Sequence, residues 1–157
     1  MPVRTRFFVS LAAAIVLAGC GSDKASDEGR TSQKAKEPEV ITVQHVLVGF
    51  EGSVPGKPIT RTQAEAQKLA GEIFEKAKSG ADFDALVKEY TDDSHPGIYR
   101  MANFGVAADV SKQVFSRGAM IPAFGNVGFG LRVGEVGMAG YDEQQSPYGW
   151  HIIKRIE

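Results

Sequence analysis

Apolar residues recur along the chain with two different periods. Residues 40–48, V-I-T-V-Q-H-V-L-V, are β-branched and lie between Pro38 and Gly49, which predicts a strand. Its period of two puts Ile41, Val43, His45 and Leu47 on one face. Breakers at Gly52, Pro55, Gly56 and Pro58 make residues 50–60 a loop. Thr62 with Glu65 three positions on is a capping box. Behind it Ala66, Leu69, Ala70, Ile73, Phe74 and Ala77 fall at helical spacing, up to a stop at Gly80. A shorter helix is expected after Asp82, with Phe83, Leu86, Val87 and Tyr90 on one side. Residues 91–97 read as a turn and 100–104 as a short strand. Residues 106–116 are ambiguous: Val110, Val114 and Phe115 fit a helix, but the stretch is too short to assign. Pro122 opens a short helix over 121–131 despite three glycines, and 136–141 and 148–156 form a closing strand pair. The economical arrangement is α+β, a helix pair packed on a small antiparallel sheet.

The first forty residues carry a different pattern. Arg4 and Arg6 precede an apolar run too short for a comfortable bilayer span, which ends in Leu17-Ala18-Gly19-Cys20. This is the layout of a secretory signal over residues 1–19. Leu-Ala-Gly-Cys resembles the bacterial lipobox, which implies Cys20 as the lipidated first residue of the mature chain. A secreted soluble protein with an incidental cysteine is the plainer alternative. Residues 20–39 are rich in Ser, Asp, Lys and Glu and contain no aromatic residue, so they read as a flexible tether ahead of a folded domain at 40–157. Several acyl chains on Cys20 would hold the chain stably at a membrane. By resemblance to Gram-negative sorting rules, the absence of Asp after Cys20 favours the outer membrane, with the domain facing the periplasm or the extracellular side.

Composition then narrows the chemistry. The 157 residues hold 18 basic and 19 acidic side chains, a net charge of −1 that gives no field to gather a nucleic acid. A single cysteine excludes a disulfide framework within the chain. No Gly-x-Ser-x-Gly elbow and no phosphate-cradling loop is present. The three histidines are His45, His95 and His151. His45 and His151 lie on the first and last strands, which often pair in small α+β domains. They either face each other or are separate, satisfied strand residues. A metal site from His45, His95, His151 and Asp93 lacks the close ligand spacing such sites use, so no metal is expected. On spacing alone Met120 and Phe124 read as core packing rather than a pocket, and Asp93 as a turn or helix-end residue.

A resemblance does separate these alternatives. Val43-Gln44-His45-Val46-Leu47-Val48, Gly80-Ala81-Asp82-Phe83-Asp84-Ala85-Leu86, Glu89-Tyr90-Thr91-Asp92-Asp93-Ser94, Phe115-Ser116-Arg117-Gly118-Ala119-Met120-Ile121-Pro122-Ala123-Phe124, Leu131-Arg132-Val133-Gly134-Glu135-Val136 and Tyr148-Gly149-Trp150-His151-Ile152-Ile153 resemble successive motifs of the parvulin peptidyl-prolyl isomerases, in the family's order. The resemblance implies a four-stranded antiparallel sheet surrounded by helices. It implies catalytic roles for His45, His151 and Asp93 and for a hydroxyl at Ser146. It implies a proline pocket from Met120, Phe124 and Phe104. No cofactor is implied, because rotation about an X–Pro bond breaks no bond. The family's Gly-Gly-Asp-Leu-Gly-like run is replaced by Met101-Ala102-Asn103-Phe104-Gly105, and residues 106–114 look inserted. The 50–61 loop carries only Lys57 and Arg61, not the basic cluster of phosphate-selective members. The expected activity is therefore isomerisation of X–Pro bonds in exported polypeptides without phosphate dependence. The alternative is a non-catalytic chaperone or binding module for unfolded exported chains.

Overall fold

The computed structural model describes residues 36–157, within a compact unit that runs from Ala35 to Glu157. The signal at 1–19, Cys20 and most of the expected tether lie outside the described residues. Strand β1 (Val40–Val48) is followed by α1 (Gln63–Lys78), α2 (Phe83–Tyr90), β2 (Ile98–Ala102), β3 (Val114–Ser116), α3 (Pro122–Gly130), β4 (Val136–Ala139) and β5 (Trp150–Arg155). The sheet order is β3-β2-β1-β5-β4. Four strands pair antiparallel as the resemblance implies, and the short β3 adds a fifth, parallel to β2. That strand lies in the ambiguous stretch, where Val114 and Phe115 had fitted a helical spacing. A 3-10 turn at Val110–Lys112 and mutual backbone hydrogen bonds between Asp109 and Val114 fold the segment back against the sheet edge.

Local chemistry accounts for the helices. Thr62 accepts the Glu65 N–H, while the Glu65 carboxylate takes the Thr62 N–H at 2.7 Å, closing the capping box at α1. Asp82 caps α2 by accepting from the N–H groups of Asp84 and Ala85. Pro122 occupies the first turn of α3, where a missing N–H costs nothing.

β1 is central, and both of its faces are covered. Val46, Val48, Trp150 and Ile152 meet the buried stripes of α1 and α2, including Ala66, Ala70, Ile73, Leu86 and Val87. Ile41, Val43, Met101 and Ile153 meet Phe124 and Phe129 of α3 on the other face. Fully burying a side chain such as Ile73 or Ile153 is worth about 2–3 kcal/mol, so the two-sided core holds β1 rigidly. The alternation read from sequence is kept: Ile41, Val43 and His45 all look toward α3. Among the described residues, no helix is long and apolar enough to cross a membrane.

Candidate active site

Register brings the two strand histidines together. β1 and β5 run antiparallel with Leu47 opposite His151 and His45 opposite Ile153. His45 and His151 are thus diagonal neighbours on one face, within reach of each other. Their Nδ1 atoms are 3.2 Å apart and their rings lie nearly parallel. Both side chains are buried. On its other side His45 Nε2 is 3.0 Å from Asp93 Oδ2, which also accepts the Tyr99 hydroxyl proton at 2.9 Å.

These contacts set the protons. Hydrogen bonds from His45 and Tyr99 hold the Asp93 carboxyl well below the usual carboxylate range, so it stays ionised and accepts only. His45 Nε2 therefore carries a hydrogen. In the neutral pair, His45 Nδ1 is then the acceptor and His151 Nδ1–H the donor. Burial, with the neighbouring His45 second, pushes the His151 pKa down to about 3 and keeps that ring neutral. Its Nε2 is left as a buried lone pair with no hydrogen-bond partner among the described residues. Tyr99 is pushed up to about 12 by burial and by the Asp93 charge.

An open cleft of about 290 Å³ lies over this array. Its floor is His45, His151 and Phe124, with the Phe124 ring edge-on to His45 at 5.1 Å and to His151 at 5.5 Å. Met120 and Ile121 form one wall and Asp93 and Tyr99 another. Val54, Pro55 and Tyr148 close the third side. Met120 follows a 3-10 turn at Arg117–Ala119, and its N–H is held by the Arg117 carbonyl at 3.1 Å. The loop bearing Val54 and Pro55 is fixed through Arg61, which hydrogen-bonds the Asp92 carboxylate and donates to the Gly49 carbonyl at 3.1 Å. Arg61 is thereby engaged away from the cleft, and the lining includes no lysine or arginine.

Two glycines permit the close approaches behind the site. At Gly97 the φ is +64° and an added Cβ would lie 2.7 Å from the His45 carbonyl oxygen. At Gly149 the φ is +131° and a Cβ would fall 2.2 Å from the Val48 carbonyl oxygen. A side chain at Gly149 would push β5 away from β1, and one at Gly97 would push the lead-in to β2 away from β1 at His45.

Of the residues singled out in the sequence, His45, Asp93, Met120, Phe124 and His151 meet at this cleft. Two do not. Phe104 is 68% exposed and does not line the cleft. The Asn103 side chain captures the Phe104 N–H at 2.8 Å, and the chain then turns at Gly105, so the ring lands on the Arg117 guanidinium. Ser146 is fully buried and donates to the Gly149 carbonyl at 2.8 Å, shaping the turn into β5 rather than facing the cleft. Tyr99, not singled out in the sequence, does line the cleft. Its sequence signal was the alternation that Met101 extends back to Tyr99, one residue ahead of the expected strand start at residue 100. His95 lies apart from the site, paired with Asp84 at 3.1 Å. Among the described residues, no group of three or more His, Cys, Asp or Glu side chains could hold a metal ion.

The comparisons with known proteins converge on this architecture. The chain is 30% identical over 116 residues to the foldase protein PrsA of Caldanaerobacter subterraneus subsp. tengcongensis, covering 74% of this chain and 28% of that one. It is 29% identical over 126 residues to the chaperone SurA of Chromohalobacter salexigens, covering 78% of this chain and 24% of that one. The chain thus spans about a quarter of the length of these curated relatives. Among solved structures, the peptidyl-prolyl isomerase ESS1 from Candida albicans superimposes with a TM-score of 0.55 at 22% identity, over 76% of this chain and 63% of that one, a likeness of fold. The PPIC-type PPIASE domain matches residues 29–157, and with the sheet, the paired histidines and the cleft in that span, the chain belongs to this parvulin-type family.

Proposed function

We propose that the cleft catalyses cis–trans rotation of X–Pro bonds in unfolded polypeptides. The observation that carries this reading is the meeting of an apolar cup, Met120, Ile121 and Phe124, with a buried histidine pair and one fixed carboxylate. An X–Pro bond rotates over a barrier of about 18–20 kcal/mol, which makes the uncatalysed step slow. The catalyst must grip the ring and favour the twisted amide, whose conjugation is lost. Phe124 offers a flat wall and Met120 a side chain that adapts to the ring. Seating the amide there removes water, which favours the planar, more polar ground state. A reduction of about 4 kcal/mol gives roughly a thousandfold acceleration. No bond breaks, so the proton arrangement need only stay fixed. Asp93 and His45 set the tautomers, and the His151 lone pair stays unprotonated beneath the cleft.

The charge pattern supports selection without phosphate. Asp93 is the one charged group among the lining residues, so an anionic side chain beside the proline gains no partner there. We further propose that the clients are exported polypeptides and that Cys20 carries a lipid anchor, on the strength of the signal-like N-terminus and the lipobox-like Leu17-Ala18-Gly19-Cys20. This places the domain at the cell envelope, with no nucleic-acid partner. A second reading is a binding module that holds unfolded chains without turnover. It is favoured by the apolar side of the cleft formed by Leu47, Val54, Pro55 and Tyr148.

Exchange NMR on short X–Pro peptides separates the two. Catalysed exchange by the wild type that is lost with Met120→Ala supports the isomerase. Binding of an unfolded protein without any exchange supports the binding module.

A further inference from the structure

Arg117 is a buried cation that the cleft does not use: it is 8% exposed and outside the lining. Its guanidinium is sandwiched between Phe104 and Phe129, with Cζ 4.8 and 4.5 Å from the ring centroids. Nη1 donates to Glu37 Oε2 at 2.6 Å and to Asn103 Oδ1 at 2.8 Å, and Nη2 donates to Asn126 Oδ1 at 2.9 Å. Its Nε has no hydrogen-bond partner among the described residues, so the Nη contacts hold the group.

These partners tie together both elements that carry the apolar cup. The Arg117 carbonyl receives the Met120 N–H, and Asn126 sits on α3 two residues beyond Phe124. Gly125, beside Phe124, is where the Arg117 stem packs, since a Cβ there would lie 3.2 Å from Arg117 Cγ. Glu37 is the one carboxylate paired with Arg117 among the described residues, and it lies ahead of β1, in the segment whose composition reads as tether. That segment is held further by Asn103, whose Nδ2 donates to the Pro38 carbonyl at 3.0 Å and whose N–H donates to the Glu39 carbonyl at 2.8 Å.

We propose that Glu37 is a positioning residue, which through Arg117 sets the place of Met120 and Phe124, so that the chain leading into β1 is part of the cleft's support. Without the Glu37 oxygen, Nη1 loses one of its two acceptors, the guanidinium moves toward water, and the turn that carries Met120 moves with it. The kinetic consequence rests on the isomerase reading; the structural one does not.

The test uses the full chain with methyl-labelled methionine, as wild type, Glu37→Ala and Glu37→Gln. Glu37→Ala is expected to shift the Met120 methyl resonance while Met138, on β4, stays in place. Glu37→Gln, which keeps an oxygen for Nη1, is expected to recover most of the wild-type shift. In the exchange assay Glu37→Ala is expected to raise KM about tenfold with kcat changed by less than about threefold, the pattern of a loosened ring grip. A Met120 methyl unmoved in Glu37→Ala overturns the proposal, as does a Met138 shift of equal size, which signals general loosening. A wild type without isomerase activity removes the isomerase reading, and the methyl shifts then decide this proposal alone.

Discussion

Keeping His151 neutral makes the fold sensitive to acid. The unfolded chain takes up a proton on this ring near pH 6.5, whereas the folded protein, with the ring buried beside His45, does so only near 3. Between those values the unfolded state binds more protons, so stability is full above about pH 6.5 and declines as pH falls toward the folded value. Worked through for one group, the folded state loses about 2 kcal/mol between pH 7.5 and pH 5. Asp93 is silent over this range. Its depressed carboxyl contributes stability above the unfolded value of 3.8, and that contribution is lost only at lower pH. The measurement is thermal unfolding by circular dichroism at several pH values, for wild type and His151→Gln. Glutamine cannot titrate, so the wild type should lose about 2 kcal/mol more than the variant across this range, roughly 8 °C in Tm for a domain of this size. The variant's absolute stability does not enter, because only the slope is compared. Parallel pH profiles would refute the assignment of a neutral, burial-depressed His151.

Other expectations follow from the same geometry. Met120→Ala should lower kcat/KM about ten- to a hundredfold with a small change in Tm, since the side chain walls the cleft and is only partly buried. Phe124→Ala removes a core ring as well and should cost about 3–5 kcal/mol of stability, read by denaturant titration. Asp93→Asn should bring the Tyr99 pKa down from about 12, yet leave it above that of a free phenol because burial is the larger cause; absorbance at alkaline pH reports it. A peptide with phosphoserine before proline should be turned over no faster than its unphosphorylated counterpart, and a strong preference for the phosphopeptide would remove the charge argument at the cleft. Gly149→Ala forces a Cβ against the Val48 carbonyl and should abolish the cooperative unfolding transition or lower Tm sharply.

The features legible in the residue order are local ones. The β-branched run at 40–48, the Thr62–Glu65 box and the Asp82 cap each act through residues a few positions apart, and each produced its element within a residue or two. The motif resemblance brought out five residues that do share the cleft, because those motifs keep fixed places in one topology. The remaining features arise from contacts between distant segments. His45 and His151 are 106 positions apart, and their contact depends on a strand register that pairs Leu47 with His151. Phe104 lies outside the cleft, its N–H held by Asn103 and its ring on Arg117, whereas Tyr99 lines the cleft from a β2 that begins earlier than its pattern implied. Arg117 joins Glu37, Asn103 and Asn126 from three separate segments, and no periodicity encodes such a junction. Short-range hydrogen bonds and side-chain alternation are written in neighbouring residues. Contacts between distant segments exist only once the sheet has closed and a buried charge has had to find its partners.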